Sequence, residues 1–229
     1  MRGYYPTQPA PDGDYRGATL GQDALALITA LGAQQAIVIG HDWGALAAYA
    51  AVAQAPDRVS RLVVVAIPHP AAITPDAVLG KAHHFLTLPL PGAARAYAAD
   101  DIAGVDRTYA SWSPGWRPTP AQREATKACF RPLGATEAIL GYYRSFARER
   151  FAPLFGGPAP VAVPAIALPS LVIYGREDGA VEQRFFDAGR AYFTGPCTTV
   201  ALDGVGHFPQ AEDPAHFNAA VLDFLASRP

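Results

Sequence analysis

Asp42 is the residue from which a reaction could start, at the centre of the pentapeptide Gly-His-Asp-Trp-Gly that begins at Gly40. The apolar run 36–39 precedes it and the small-residue run 45–51 follows it, so the pattern predicts a strand, a sharp turn and a helix. Gly40 and Gly44 suit that turn, because a Cβ at either position would crowd the backbone. A carboxylate held there could displace a leaving group from carbon and form an ester that water must cleave. The plainer alternative is a turn aspartate without a catalytic role.

Two downstream residues could complete a catalytic site. Asp178 follows the apolar run 170–173, and His207 follows the apolar run 198–202. Nucleophile, acid and histidine is the chain order of α/β hydrolases. Asp178 would hold the imidazole in the right tautomer, and His207 would take a proton from water. Taken singly, either residue could be an ordinary loop residue; the ordered triple favours catalysis.

The elements around these residues alternate between strands and helices. Apolar spacing over 20–31 predicts a helix, 61–67 predicts a buried strand, and Asp213 followed by Pro214 predicts the start of a C-terminal helix. Alternating strands and helices indicate a mostly parallel α/β sheet, with ligands at the carboxyl ends of its strands. All three candidate residues fall at such ends.

The alternation stops between about residues 70 and 169. This part of the chain is rich in alanine, proline and aromatic residues, and it has helical spacing around 122–130 and 136–151. We interpret it as a helical cap inserted between two core strands. The predicted division is therefore a first core part at 1–70, a cap at 71–168 and a second core part at 169–229.

The whole chain resembles the epoxide hydrolase branch of the α/β hydrolase fold family, which shares an aspartate nucleophile with haloalkane dehalogenases. The stretches that carry the resemblance are Arg2–Tyr4, His41–Gly44, Pro56–Val59, Gly175–Asp178 and Gly206–His207. In the proposed cap only Tyr142–Arg144 matches, together with a weaker match at Trp112–Pro114.

The resemblance implies roles for several further residues. Opening an epoxide leaves an alkoxide, so a donor must face the nucleophile. Tyr143 matches the second cap tyrosine of the family and is preferred over Tyr142; the alternative is a packing tyrosine. The place of the other cap tyrosine holds His83 and His84, so His83 is a candidate donor, with an ordinary cap residue as the alternative. A metal site is not expected, because adjacent helix positions do not face together.

Trp43 and Tyr109 are candidate substrate-binding or oxyanion residues. Trp43 follows the nucleophile and fits an oxyanion site as well as the halide cradle of a dehalogenase, so it does not separate those two activities. Tyr109 is a weaker candidate. No cofactor is implied, and the expected partners are a small apolar, epoxide-like substrate and water.

The start of the sequence departs from the family pattern. In relatives, Arg-Gly-Tyr lies just after the fourth strand, and an oxyanion-hole loop of the form His-Gly-x-Pro lies earlier; here the motif begins at Arg2. The resemblance therefore implies that the N-terminal strands and that loop are missing. We expect an unpaired edge on the elbow strand, which a homodimer could cover. We also expect slow ester hydrolysis, since one lost oxyanion-hole donor costs about 10²–10³ in rate.

The composition and net charge of the chain indicate which partners and which cellular compartment to expect. A net charge of −2 without a basic run does not indicate nucleic acid or an anionic membrane surface. No stretch approaches the roughly 20 apolar residues of a membrane span, and no apolar region of a signal peptide follows Met1. Cys129 and Cys197 are too few and too far apart for a disulfide framework. A cytoplasmic protein is therefore the expectation.

The sequence thus predicts a hydrolase that opens an epoxide to a diol through an ester on Asp42, with His207 and Asp178 activating water and Tyr143 stabilising the oxygen. A haloalkane dehalogenase and a truncated, non-catalytic remnant or binding protein remain as alternatives.

Overall fold

A computed structural model describes residues 1–157 and 162–227. Its elements, in chain order, are α1 (Gly17–Ala30), β1 (Ala36–His41), α2 (Trp43–Gln54), β2 (Val59–Val65), α3 (His84–Thr87), α4 (Ala93–Trp112), α5 (Pro120–Phe130), α6 (Ala135–Phe151), β3 (Ser170–Gly175), α7 (Gln183–Gly189), β4 (Cys197–Leu202), α8 (Pro209–Glu212) and α9 (Pro214–Ala226).

The four strands form one parallel sheet in the order β1-β2-β3-β4. Parallel neighbours need a crossover connection. Helix α2 links β1 to β2, the helices α3–α6 lie between β2 and β3, and α7 links β3 to β4. This arrangement confirms the predicted α/β fold with a parallel sheet.

Alternating side chains of the inner strands supply the two faces of the sheet. On β2, Leu62 and Val64 pack with α2, whereas Val63 and Val65 pack on the other face with Val221 of α9. The alternation follows from the two-residue period of a strand. Both faces of β2 and β3 are therefore covered by packed side chains, so these two strands lie within the core.

Strand β1 has a different environment. Within the described residues it pairs with β2 alone, and Ile37 and Ile39 are 45% and 51% exposed. Val38, between them, packs against the core. The expected bare edge is thus present in the described part of the chain, on the strand that leads to Asp42.

The helices α3–α6 form what we call the helical segment. Its longest helix, α4, is broken at Asp100–Ile102, where three successive residues have φ between 52° and 58°. The proposed boundaries of a cap at 71 and 168 stay a prediction, and residues 158–161 of that range lie outside the described residues. In the described residues, no helix combines the length and apolar character required to cross a membrane.

Candidate active site

Asp42 lies at a strained turn between β1 and α2. Its φ of 53° and ψ of −121° are rarely adopted by residues other than glycine. A Cβ at Gly40 would come within 2.2 Å of the Gly44 carbonyl oxygen, so the turn requires glycine there. The same expectation for Gly44 is wrong, because a Cβ at Gly44 would meet only the Met1 sulfur, at 3.8 Å, among the described residues. The turn presents the Asp42 carboxylate, which is 25% exposed, to the space above the sheet.

Asp178 and His207 lie in the loops after β3 and β4, at the same edge of the sheet. Asp178 Oδ2 is 2.8 Å from His207 Nδ1, and its Oδ1 accepts hydrogen bonds from the Ala180 and Val181 backbone N–H groups. His207 Nε2 is 3.1 Å from Asp42 Oδ2. One imidazole therefore bridges two carboxylates that are 136 residues apart in the chain (178 − 42).

The charges of this trio support one another. Burial alone would favour a neutral Asp42, but the hydrogen bond and charge of His207 outweigh it and lower the pKa of Asp42 to about 2. Burial also disfavours a charged His207, yet the carboxylates of Asp178 and then Asp42 raise its pKa to about 10. The two carboxylates therefore favour the charged form of the His207 imidazole.

A neighbouring histidine fixes the main chain of His207. His41 Nε2 is 2.8 Å from the carbonyl oxygen of His207, and the bond requires the nitrogen to donate. Burial lowers the pKa of His41 to about 4, so its ring is neutral at pH 7. The residue before the nucleophile thus contacts the loop that carries the histidine.

A cavity of about 600 Å³ opens over Asp42. Aromatic and aliphatic side chains provide most of its surface. The lining includes Tyr4, Asp42, Trp43, Leu88, Tyr97, Val105, Tyr109, Trp112, Trp116, Phe130, Ile139, Leu140, Tyr143 and Phe208. Such a wall suits an apolar ligand whose polar group is directed at the carboxylate.

Tyr143 and Trp43 lie together in this wall. The Tyr143 ring packs edge-on against the Trp43 ring, with centroids 5.1 Å apart. Burial and then the charge of Asp42 raise the pKa of Tyr143 well above its usual value, so the phenol keeps its proton. The Tyr142 hydroxyl instead donates to the Arg2 carbonyl oxygen at 2.7 Å. The structure thus brings Tyr143, and not the Tyr142 hydroxyl, into the lining.

Tyr109 also lines the cavity, but its hydroxyl is engaged. It lies 2.6 Å from Thr126 Oγ1, and its ring packs edge-on against Phe208 and Trp116. Tyr109 is therefore placed as part of the wall, with its oxygen held by a residue of α5.

The structure does not bring His83 into the site, which corrects the placement expected from sequence. His83 is exposed, whereas His84 is buried between Trp112 and Tyr143, behind the cavity lining. The two side chains diverge because neighbouring positions of a helical turn point in different directions. Within the described residues, His84 Nδ1 is buried without a hydrogen-bond partner. Burial lowers the pKa of His84 to about 4.

Sequence reasoning missed Tyr4 as a cavity residue. Its ring packs against Tyr142 and Phe130, and burial followed by the charge of Asp42 raises the pKa of its hydroxyl well above the usual value. The signal in the sequence that points to this residue is the motif at Arg2–Tyr4, which contains it.

With the geometry established, comparison with known proteins gives the family. A family model described as the α/β hydrolase fold matches residues 1–214. The chain belongs to the α/β hydrolase fold family. Several of its relatives are named epoxide hydrolases. The chain is 26% identical over 223 residues to epoxide hydrolase 3 of Xenopus tropicalis. It is 28% identical over 244 residues to epoxide hydrolase A of Mycobacterium tuberculosis.

These matches cover most of this α/β hydrolase chain but less of its relatives. The two alignments span 93% and 90% of the chain, but 58% of the frog protein and 73% of the mycobacterial protein. The crystal structure of epoxide hydrolase A from Mycobacterium thermoresistibile superposes with a TM-score of 0.79 at 27% identity. That superposition covers 98% of this chain and 80% of the crystallised chain.

Proposed function

We propose that this α/β hydrolase opens epoxides to diols through an ester on Asp42. The observation that carries the proposal is the contact of His207 with both carboxylates, under an apolar cavity that Tyr143 also lines. The similarity to proteins named epoxide hydrolases supports the same activity.

In the first step, an Asp42 oxygen attacks a carbon of the epoxide, and the bond from that carbon to the ring oxygen breaks. Asp42 is ionised at neutral pH because His207 holds its pKa near 2. The electron pair stays on the ring oxygen, which takes a proton from the hydroxyl of Tyr143. The raised pKa of Tyr143 ensures that the proton is present before the reaction.

In the second step, water attacks the carbonyl carbon of the ester. Alkylation removes the negative charge of Asp42, which is one of the interactions that raise the pKa of His207. Once the ester has formed, His207 therefore gives up its proton, which restores the phenol of Tyr143, and the neutral imidazole can then act as a base. The imidazole takes a proton from water, and Asp178 stabilises the resulting charge across the 2.8 Å contact.

The ester then collapses and the enzyme is restored. The backbone N–H of Trp43, whose hydrogen bond helps to lower the pKa of Asp42, donates to the oxyanion in this step. The bond from the carbonyl carbon to the original Asp42 oxygen, now attached to the substrate carbon, breaks, and that oxygen receives a proton from His207. The second proton of the water, left on the Asp42 carboxyl group, returns to His207, so the diol has gained two protons in all and the oxygen of the water remains in the Asp42 carboxylate.

The test is intact-mass analysis with peptide mapping after the folded protein is mixed with an aryl epoxide. We expect a mass gain of one substrate on Asp42, followed by formation of diol. Asp42→Asn should abolish both, whereas Asp223→Asn, an exposed position on α9, should change neither. No adduct and no diol from folded protein would refute the proposal, and halide release from haloalkanes instead would assign the site to dehalogenation.

A further inference from the structure

The carboxylate of Glu212, which lies outside the catalytic trio, accepts hydrogen bonds from the loop that carries His207. Glu212 Oε2 accepts a hydrogen bond from the Gly206 backbone N–H at 2.7 Å, and Glu212 Oε1 accepts one from the Phe208 backbone N–H at 2.8 Å. The residues on both sides of His207 are thus bonded to the same side chain. All of these donors are uncharged backbone groups, so Glu212 acts on the main chain.

Ser113 completes the set from a distant part of the sequence. Its hydroxyl donates to Glu212 Oε1 at 2.6 Å and accepts a hydrogen bond from the His207 backbone N–H at 2.8 Å. That N–H group is shared with the Trp112 carbonyl oxygen at 3.2 Å. Three consecutive backbone N–H groups therefore end, directly or through one hydroxyl, on the carboxylate of Glu212.

The fit around this arrangement is tight. Ser113 is fully buried, and a Cβ at Gly206 would come within 2.4 Å of Ser113 Oγ. The loop 203–208 belongs to neither a strand nor a helix, so regular secondary structure does not hold it. Because hydrogen bonds to a carboxylate are short and strong, these contacts fix the backbone from which the imidazole projects.

We propose that Glu212 and Ser113 form a clamp that positions His207 for hydrolysis of the ester. The inference rests on the proposed function of the site, in which His207 acts on water after Asp42 has been alkylated. Glu212 and Ser113 are positioning residues, since they contact the histidine loop and do not line the cavity. Asp178 orients the ring through Nδ1, while the clamp sets where the whole residue lies relative to Asp42.

The clamp predicts a selective kinetic defect. Attack by Asp42 on the epoxide does not use His207 as a base, but hydrolysis requires the imidazole to reach both water and the ester. A misplacement of about 1 Å can lower a rate by about 100-fold. Glu212→Gln replaces one acceptor oxygen by a donor, and Ser113→Ala removes the hydroxyl relay. Each variant should slow hydrolysis by about 10- to 100-fold and leave alkylation within about 3-fold of wild type.

The experiment is a single-turnover, rapid-quench measurement of the Asp42 ester by intact mass, which gives the two rate constants separately. The ester should accumulate in both variants, and Glu212→Gln/Ser113→Ala should be no slower than the worse single variant, because the two residues act as a unit. Glu124→Gln, on the surface of α5, is the matched control and should behave as wild type. Equal losses in both rate constants, or an unchanged hydrolysis rate, would overturn the clamp.

A second readout separates failure of the clamp from failure of the proposed function. The ¹⁵N NMR signals of His207 report its tautomer and titration without any substrate. Glu212→Gln and Ser113→Ala should shift these signals, and Glu124→Gln should not. Unshifted signals in folded variants refute the clamp, whereas shifted signals in a protein that forms no Asp42 adduct keep the clamp and refute the proposed chemistry.

Discussion

The two sides of the cavity are built differently. On one side, Asp42, Asp178 and His207 come from short loops at the carboxyl ends of β1, β3 and β4 of the parallel sheet, and their contacts are 2.8 and 3.1 Å. On the other side, Tyr143 and Tyr109 come from separate helices of the helical segment and are held by aromatic packing. The catalytic side chains at the strand ends are positioned by the backbone of their loops. The tyrosines of the helical segment are positioned by the packing of side chains around them. Substitutions at the strand ends should therefore abolish turnover, whereas substitutions in the helical segment should change its rate.

The largest effect is expected on the strand side, at the base. His207→Gln removes the only imidazole that forms a hydrogen bond with Asp42 in the described residues, so turnover should fall by about 10⁴-fold while the Asp42 ester persists. Steady-state diol formation and intact mass measure the two outcomes. His216→Gln, an exposed position at the start of α9, should retain wild-type turnover. A His207→Gln variant that still turns over would remove the general base from the mechanism.

The helical side should show a smaller effect at Tyr143. Tyr143→Phe removes the donor to the ring oxygen, and we expect the alkylation rate constant to fall by about 10²–10³, with ester hydrolysis less affected. The matched variant Tyr142→Phe loses only the bond to the Arg2 carbonyl oxygen, so it should cost about 1 kcal/mol of stability and leave alkylation near wild type. Equal rates for the two variants would show that the phenol is a packing group.

Lowering the pH should decrease the stability of the protein through protonation of His84, which lies in the helical segment. Burial lowers the pKa of His84 from 6.5 to about 4, so between these values the unfolded chain binds more protons than the folded one. Stability then falls as pH decreases through this window, by about 3 kcal/mol for this group, and His41 adds an effect of the same sign. His84→Phe should flatten the decline, measured by urea unfolding from pH 7 to pH 4, while His83→Phe should not. Identical slopes in all three proteins would contradict the burial of His84 in the fold.

The smallest effect concerns the bare edge of the sheet. Ile39→Lys places a charge on the exposed face of β1 and should change the free energy of unfolding by no more than about 0.5 kcal/mol. If copies of the chain associate through this edge, the lysine should also lower the sedimentation coefficient at high concentration. Thr198→Lys, on the exposed part of β4 at the opposite edge, is the matched control. An association that responds to Thr198→Lys alone would place the contact at β4.

What the sequence could predict differs between the two sides for a physical reason. A parallel strand places the residues after it at a defined edge, so the motifs at Asp42, Asp178 and His207 were enough to predict that these residues meet. Local signals also predicted the capped start of α9, where the Asp213 side chain accepts the His216 backbone N–H.

The helical side could be predicted only in part. Tyr143 was found through a motif, but the choice of His83 over His84 depended on the rotation of a four-residue helix, which sequence spacing does not determine. No glycine or proline lies at Asp100–Ile102, so the sequence does not predict the break in α4 there. The role of Glu212 could not be predicted, because its partners are backbone groups and a serine 99 residues away. No spacing in the sequence indicates that contact.

The carbonyl oxygen of Trp112, the last residue of α4, has a mechanical consequence. It accepts hydrogen bonds from the backbone N–H groups of both Gly179 and His207, and so ties one helix end to the acid loop and the base loop together. The C-terminal end of α4 is therefore fixed to both catalytic loops through one acceptor atom. A displacement of that end would move Asp178 and His207 together, relative to Asp42.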